Sequence, residues 1–238
     1  MTLSLCFLIL TRDAGSALSG LAQDIAAVAR AGDSVVLVDD GSRDDTLSHI
    51  ARITTAAGWG AGTGVTRIIC TARGEGDAGI AANIALQAAK GDLIVMLPGG
   101  MRLNRDAFIA ARDQVVAQKA DLLVCGRGLP SAHRLILHRR LLTPALRWAE
   151  GGQAHGDLNF VLRAEQSAQN LRRQMPAFSE TPPDTVPNKG FSAAAQAFVT
   201  RQPGARGWLL ARSAEWDLPP GADPHAPWLL PWVTPTLA

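Results

Sequence analysis

The chain has 238 residues, 47% of them hydrophobic, and a formal net charge of +2 at pH 7. This length fits one α/β domain with or without an appendage, and the apolar content suffices for a buried core. The near-neutral charge, the short basic clusters and the absence of Tyr argue against a nucleic-acid-binding protein.

The first predicted element is a strand over Leu3–Leu10, and a polar turn over Thr11–Ser16 follows it. The apolar run has no basic residue before it and is short. It therefore predicts a core strand and neither a signal peptide nor a membrane span. Apolar residues at helical spacing then predict an amphipathic helix over Ala17–Ala31.

Two carboxylates, Asp39 and Asp40, follow the second predicted strand, Val35–Val38. Four consecutive apolar residues are typical of a buried parallel strand. Ligands of open α/β sheets bind outside the carboxyl ends of the strands, so the acid pair marks a candidate site. The alternative is an Asx turn that closes the strand, with both acids solvated.

The next helix is predicted over Asp45–Thr54, with Ser42 or Asp44 as its N-cap. A glycine-rich stretch over 58–64 precedes a predicted strand, Val65–Thr71. Because this stretch does not open a helix and lacks Gly-Lys-Ser/Thr, it predicts a connector and not a phosphate-binding loop.

Four elements with clear patterns follow: a helix over Ile80–Lys90, a strand over Leu93–Leu97, a helix over Arg105–Ala120 and a strand over Asp121–Cys125. The segment His133–Trp148 alternates basic and apolar residues. It predicts a half-buried amphipathic helix with a solvated basic face, or a face that contacts an acceptor or a phosphate.

The composition changes at Met175, where Pro, Ser, Thr and Asp predict an irregular linker up to Lys189. A short helix is predicted over Phe191–Arg201. The remainder, Trp208–Ala238, predicts an arm that packs across the core or onto a second subunit through its Trp residues. Peripheral membrane contact through 228–232 stays open, although no basic amphipathic helix accompanies it.

These boundaries divide the chain into a domain over 1–174, with halves at 1–104 and 105–174, and an extension over 175–238. The three cysteines, Cys6, Cys70 and Cys125, each lie in an apolar, strand-like run without CxxC spacing. They predict buried, reduced thiols and a cytoplasmic protein.

The string Val-Asp-Asp-Gly-Ser-x-Asp-x-Thr over 38–46 resembles the signature of the family 2 glycosyltransferases, which have the GT-A fold. The resemblance implies an α/β fold, a mostly parallel sheet with helices on both faces, and a nucleotide-diphosphate sugar as donor. It places Asp39 and Asp40 against the base and ribose. A carboxylate can accept hydrogen bonds from the N–H groups of the base and from the ribose hydroxyls. By position alone, it places Thr11 and Asp13 near the base.

A second match covers 81–92, which is similar to the family's Ala-Arg-Asn-x-Gly-x-x-x-Ala-x-Gly-Asp helix. Asn83, Gly91 and Asp92 are kept, whereas Ala82 stands where the family has Arg. The resemblance thus implies that Asn83 lies near the nucleotide sugar and that one expected cation is missing.

The main departure follows the next strand, where the family has Asp-x-Asp to hold Mn²⁺ or Mg²⁺ on the diphosphate. This chain has Pro98, Gly99 and Gly100 there, which makes a metal cofactor doubtful. Three explanations stay open. In the first, the transferase needs no metal, and Arg73, Arg102 or the glycine amides neutralise the diphosphate. In the second, other acids, such as the pair at 39 and 40, hold the metal. In the third, the domain has lost catalysis and kept the fold.

The stretch 151–164 resembles the family's Glu-Asp-x-x-x-x-x-Arg-Ala segment, in which the Asp opens a helix and acts as general base. The resemblance puts Asp157 at the base position and Gly156 at the preceding Glu. Inverting transfer needs a carboxylate that deprotonates the acceptor hydroxyl. The alternative is that Asp157 is only an N-cap.

The leading hypothesis is a cytoplasmic glycosyltransferase of polysaccharide biosynthesis that transfers a sugar to an acceptor hydroxyl with inversion. A non-catalytic domain of the same fold, acting as a binding or assembly module, is the rival. A nucleotidyltransferase is a third option, but it requires a Gly-rich phosphate loop that Thr11–Ser16 supplies poorly.

Overall fold

A computed structural model describes residues 3–55, 59, 63–71, 78–125, 132–148, 156–174 and 177–178. One seven-stranded sheet forms the centre of the fold. Its strands are β1 Leu5–Thr11, β2 Asp33–Asp39, β3 Thr63–Cys70, β4 Leu93–Pro98, β5 Leu122–Cys125, β6 Leu135–His138 and β7 Leu171–Gln174.

In the described part of the chain, five α-helices pack around this sheet. They are α1 Ala17–Val28, α2 Thr46–Thr55, α3 Ala78–Ala88, α4 Arg105–Gln118 and α5 Gly156–Ser167. No helix within the described ranges is both long and apolar enough to cross a bilayer.

The strand order is β3-β2-β1-β4-β6-β5-β7. Strand β1 pairs in parallel with β2 on one side and with β4 on the other, and β6 is antiparallel to both β4 and β5. The chain builds outward from β1 to β3 and then crosses to β4, so the order reverses between β1 and β4. Open α/β sheets bind ligands at such a switch point.

Successive side chains of β1 point to opposite faces of the sheet and pack into two separate hydrophobic cores. Leu5, Phe7 and Ile9 pack on the face that α1, α2 and α4 cover, while Cys6 and Leu8 pack on the face that α3 and α5 cover. The predicted α/β class, with helices on both faces of a mostly parallel sheet, is therefore confirmed.

The predicted helix over His133–Trp148 is wrong. This segment forms a 3-10 turn, Ala132–Arg134, then strand β6, then a second 3-10 turn, Arg139–Leu141. Leu135, Ile136 and Leu137 are buried because β6 is inserted between β4 and β5. Strand pairing at this central position overrides the helical spacing, and periodicity does not separate a short buried strand from a helix.

Two of the three predicted thiols are buried. Cys6 and Cys125 lie in the core as free cysteines, whereas Cys70 is exposed. The prediction for Cys70 fails because its strand, β3, lies at an edge of the sheet.

A buried ion pair ties helix α4 to strand β2. The Arg112 guanidinium donates to both carboxylate oxygens of Asp33, at 2.7 and 2.8 Å, and both side chains are almost fully buried. Asp33 also accepts hydrogen bonds from the backbone amides of Leu5 and Arg30. The carboxylate is thus saturated by one cation and two amides.

The packed unit extends past the predicted domain boundary at residue 174. Phe178 is fully buried, and its ring lies edge-to-face with Phe108 at a centroid distance of 5.2 Å. Its carbonyl accepts a hydrogen bond from the Asn104 amide at 2.8 Å. The predicted helix over 191–201 and the predicted arm lie outside the described residues.

Truncating this side chain tests the boundary. We expect Phe178→Ala to lower the free energy of unfolding by about 3–5 kcal/mol, because it leaves a cavity beside Phe108. Urea denaturation of the full chain measures the change. Leu47→Ala, at a side chain that is 46% exposed, is the control and should change it by less than about 0.5 kcal/mol. An equal effect of both variants would contradict the packing of Phe178 as a core residue.

Candidate functional site

Backbone hydrogen bonds join the chain at the carboxyl ends of three neighbouring strands. The Asp40 amide donates to the Thr11 carbonyl at 2.9 Å, and the Gly99 amide donates to the Leu10 carbonyl at 2.7 Å. The segments that follow β2, β1 and β4 therefore lie side by side. Their edge includes the switch point between β1 and β4.

Asp39 shapes the turn after β2. Its Oδ2 accepts a hydrogen bond from the Ser42 amide at 3.1 Å, and its Oδ1 accepts one from the Ser42 hydroxyl. The residue is 1% exposed. Both oxygens thus have an internal donor, as in the Asx turn that the sequence left open.

Asp40 is the more accessible of the two acids. Its Oδ1 accepts a hydrogen bond from the Thr71 hydroxyl at 2.9 Å, and its Oδ2 lies 3.9 Å from the Arg12 guanidinium. Its side chain keeps 13% of its surface exposed. Each carboxylate oxygen can accept more than one hydrogen bond, so Asp40 retains acceptor capacity at this edge.

Thr11 presents a buried hydroxyl at the end of β1. Among the described residues, its Oγ1 has no hydrogen-bond partner, although Thr11 is only 4% exposed. A Cβ on Gly99 would lie 2.5 Å from this oxygen, so glycine is the residue that fits beside it. A buried hydroxyl without a partner costs about 1–3 kcal/mol, which a ligand at this edge would offset.

Asp13 and Asp44 organise the two turns that meet here. Asp13 has a left-handed backbone, with φ of 49°, and its carboxylate accepts a hydrogen bond from the Arg43 amide at 2.7 Å. Asp44 accepts from the Thr46 amide, which opens α2. Of the two predicted N-caps, Asp44 therefore contacts the start of the helix, while Ser42 contacts Asp39.

A cavity of about 190 Å³ lies next to these strand ends. Its wall consists of apolar groups and one imidazole: Leu10, Met96, Leu97, Pro98, Ala132, His133 and Trp148. Trp148 is stacked on Phe160 of helix α5, with ring centroids 3.7 Å apart. Asp157 lies in the first turn of α5, three residues before Phe160. The structure therefore brings the start of α5 to the region of the switch-point cavity.

Asn83 holds the wall of this cavity. Its side-chain amide donates to the Trp148 carbonyl at 3.2 Å and accepts from the Trp148 amide at 2.8 Å. We call these two hydrogen bonds between Asn83 and Trp148 the clasp. Asn83 also lines a second cavity of about 260 Å³, on the α3 side of the clasp, together with Arg139 and Arg147. The structure thus gives Asn83 a role in positioning Trp148.

His133 is uncharged at neutral pH. Burial, followed by the positive charge of Arg134, lowers its pKa to about 4. Its imidazole can therefore donate or accept a hydrogen bond in the cavity without adding charge.

Arg102 does not face this edge. Its guanidinium donates to both carboxylate oxygens of Asp24 on helix α1, at 2.6 and 3.0 Å. Arg105 donates to the same buried carboxylate. Arg102 is predicted to contact a diphosphate, but in the structure it forms an ion pair with Asp24. This ion pair attaches the segment that follows β4 to helix α1. Arg73 lies outside the described residues.

The residues after β4 offer no side-chain oxygen to a metal ion. Pro98, Gly99 and Gly100 occupy this turn, and the Gly99 amide already donates to Leu10. Within the described ranges, no group of three or more His, Cys, Asp or Glu side chains is placed to hold a metal. Mg²⁺ and Mn²⁺ sites need oxygen ligands. The turn after β4 and the described side chains around it therefore do not form a metal site by themselves.

Sequence reasoning did not single out Arg12, His133 or Trp148. Arg12 has a signal, because it lies in the turn that leads out of β1 toward the acids. The helix predicted for 133–148 gave no reason to place His133 at a binding site. Trp148 has no sequence signal, since only the clasp to Asn83 and the stack on Phe160 bring it to the cavity.

Comparisons with known proteins point to one family. A family model described as glycosyl transferase family 2 matches residues 14–126. No curated protein matches the sequence significantly.

Three solved structures have a similar fold. TarS 1-349 of S. aureus in complex with UDP-GlcNAc has a TM-score of 0.66 at 16% identity, covering 91% of this chain and 68% of that one. The mannosyltransferase PcManGT from Pyrobaculum calidifontis in complex with GDP-Man and Mn²⁺ has a TM-score of 0.56 at 19% identity, covering 94% and 68%. Glucosyl-3-phosphoglycerate synthase from Mycobacterium tuberculosis, with Mn²⁺, UDP and glucosyl-3-phosphoglycerate, has a TM-score of 0.59 at 13% identity, covering 92% and 82%.

At these identities, the likeness to solved structures shows the fold alone. The match of the family model and the order of the strands agree with each other and with the acid-pair signature at 38–46. The chain is therefore family 2 glycosyltransferase-like in sequence over residues 14–126, and it has the GT-A fold.

Proposed function

We propose that this protein transfers a sugar from a nucleotide-diphosphate sugar to an acceptor hydroxyl, with inversion and without a metal ion. The observation that carries the proposal is the buried Thr11 hydroxyl at the switch point, which has no partner among the described residues; the backbone of Thr11 is bonded to that of Asp40. A bound nucleoside presents donors and acceptors that would satisfy this hydroxyl and the Asp40 carboxylate.

In this proposal, the nucleoside lies over the carboxyl ends of β1 and β2. Asp40 and Thr11 contact the base or ribose, and Asp39 contributes its remaining acceptor capacity while holding the turn through Ser42. Asp13 borders this pocket. The similar structures were solved in complex with UDP, UDP-GlcNAc or GDP-Man, which supports a sugar nucleotide as the donor.

The sugar then extends toward the cavity that Pro98 and Trp148 line. Asp157, in the first turn of α5, deprotonates the acceptor hydroxyl as its oxygen attacks the anomeric carbon. The new glycosidic bond forms as the bond between the anomeric carbon and the diphosphate oxygen breaks. The leaving diphosphate takes that electron pair, and Asp157 takes the proton.

A non-catalytic binding or assembly module is the second candidate. The observation that favours it is the stretch Pro98, Gly99 and Gly100 at the end of β4, which carries no acidic side chain. Such a module would keep the fold and the cores without turnover.

The free thiols of Cys6 and Cys125 suit a reducing compartment, and we therefore propose a cytoplasmic site of action.

A thermal-shift panel of UDP, GDP, CDP and dTDP in EDTA and in Mn²⁺ tests the function. A ligand at a hundredfold its dissociation constant should add about 2.7 kcal/mol to the free energy of unfolding. We expect one diphosphate to protect equally well with and without the metal. Protection by none would overturn the transferase proposal, and protection only with Mn²⁺ would overturn metal independence.

A mutational test of the same proposal removes the charge of Asp40, the more accessible of the two acids. We expect Asp40→Asn to weaken that nucleotide by about 10- to 100-fold, because a hydrogen bond to a charged acceptor is lost. Isothermal titration calorimetry measures the affinity. Asp106→Asn, at an exposed acid in the first turn of α4, should leave it unchanged. Equal affinity of Asp40→Asn and wild type would remove Asp40 from the nucleoside pocket.

A further inference from the structure

One wall of the second cavity, which has a volume of about 260 Å³, is the loop that follows strand β6. Because β6 is antiparallel to β4, its last residue, His138, pairs with Leu93 at the start of β4. The next residue, Arg139, lines the cavity, and its amide donates to the Asp92 carbonyl at 2.8 Å. Arg139 thus lies at the amino end of β4, opposite the edge that carries the acid pair. None of the described residues that line this cavity belongs to the proposed nucleoside pocket.

Helices α3 and α5 hold this loop, which spans 139–148. The Arg163 guanidinium on α5 donates to the carbonyls of Ala145 and Arg147. The clasp fixes the end of the loop, Trp148, to Asn83 on α3. A wall attached at these points is preorganised, so a ligand that binds to it would order little of the chain.

Two arginines of the loop, Arg139 and Arg147, line the cavity, and no described residue of its lining is acidic. Both are exposed, and neither guanidinium forms an ion pair or a hydrogen bond within the described part of the chain. The charge of Arg139 does reach Asp92, but the carboxylate of Asp92 already accepts hydrogen bonds from the Ser4 amide and hydroxyl, at 2.9 and 2.8 Å. The described lining therefore carries two positive charges and no carboxylate that neutralises them.

Two neutral donors lie in the same cavity. Gln87 and Thr143 line it, and neither side chain has a hydrogen-bond partner among the described residues. Guanidinium, amide and hydroxyl groups can all donate to an oxyanion, which only accepts. Apolar side chains, which lower the local dielectric and strengthen the attraction for an anion, form the rest of the described wall: Leu86, Leu142, Pro144 and Leu146.

We propose that this cavity binds a phosphate monoester, which Arg139 and Arg147 hold together. The planar, forked guanidinium matches the geometry of phosphate oxygens, and two of these groups neutralise the charge of about −2 that a phosphate monoester carries at pH 7. The cavity is smaller than the roughly 300–1,000 Å³ of pockets that bury drug-sized ligands, which favours a phosphate on a short carbon body. This site goes beyond the proposed function and does not depend on sugar transfer.

Calorimetry of the full chain with glycerol 3-phosphate and with inorganic phosphate tests the site. We expect wild type to bind glycerol 3-phosphate, with an affinity that falls as salt is raised. Arg139→Gln and Arg147→Gln should each weaken binding by about 10-fold, because each removes a charge-assisted hydrogen bond, and the double variant should abolish it. Arg52→Gln, at an exposed arginine on helix α2, is the matched control and should bind as wild type does.

The phosphate can belong to a soluble metabolite or to a lipid headgroup, and vesicles of phosphatidylcholine with and without phosphatidate distinguish the two. Binding of glycerol 3-phosphate but not of the phosphatidate vesicles identifies a soluble ligand. Cosedimentation with the phosphatidate vesicles that the double variant loses identifies a headgroup. Either result supports the site.

Three results would overturn the inference: no binding of glycerol 3-phosphate, inorganic phosphate or phosphatidate vesicles by wild type, unchanged binding in the double Gln variant, or an equal loss in Arg52→Gln. Replacing both arginines by Lys keeps the charge without the fork and should retain part of the affinity. This variant also serves if the double Gln variant does not fold. The affinity for the nucleotide diphosphate should stay that of wild type in all of these variants, so the proposed function and this site fail separately.

Discussion

Asp157→Asn is expected to lower kcat by about 100- to 10,000-fold, the range that a lost general base produces. The affinity for the nucleotide diphosphate should not change, because Asp157 is proposed to contact the acceptor and not the nucleotide. A transfer assay with the sugar nucleotide of the protecting base measures kcat, and calorimetry measures the affinity.

Two further variants separate catalysis from helix capping. Asp157 is the second residue of α5, and Ser keeps a side-chain oxygen near the free amides of this first turn, so the free energy of unfolding should stay near that of wild type. Its turnover should nevertheless fall as far as that of Asp157→Asn. Full turnover in the Ser variant would make Asp157 a cap alone and favour another base. Asp106→Asn, in the first turn of another helix, should keep full activity.

Breaking the buried pair between Asp33 and Arg112 is expected to produce a large loss of stability. We expect Arg112→Gln to lower the free energy of unfolding by about 3–5 kcal/mol, because it leaves a buried carboxylate without its cation. Asp33→Asn should cost a similar amount, since the guanidinium then lacks its charged partner. Urea denaturation, followed by circular dichroism, measures both variants.

An exposed ion pair provides the control. Arg30 and Asp113 lie 2.9 Å apart at the surface, and Arg30→Gln should change the free energy of unfolding by less than about 1 kcal/mol. Replacing both buried partners by Leu should not restore stability, because the amides of Leu5 and Arg30 would lose their acceptor. A fully stable double variant would show that these amides find other partners.

The two acids of the signature have different environments. Asp39 is bonded twice to Ser42 and is buried, whereas Asp40 keeps part of its surface and lies near Arg12. A nucleoside pocket at this edge would thus use Asp39 mainly to hold the turn and Asp40 mainly to contact the ligand. The Asp40→Asn variant described above bears directly on this division.

The class of fold follows from the sequence alone, and the acid pair predicts the edge of the sheet at which a ligand would bind. Continuous apolar runs such as Val35–Val38 and Leu93–Leu97 predict strands that are buried on both faces, and the structure places them in β2 and β4. Local chemistry is enough for these elements, because a strand covered on both sides needs apolar residues at every position. The acids after β2 then mark its carboxyl end.

The conformation of the 132–148 segment depends on packing against the rest of the chain. Its local pattern favours a helix, yet β6 pairs between β4 and β5 and brings His133 to the cavity. The same holds for Arg102, which pairs with a carboxylate on α1 that is far away in the sequence. Pairing partners and ion-pair partners come from distant parts of the chain, and burial of the whole molecule selects among them. A pattern read over ten residues does not contain that information.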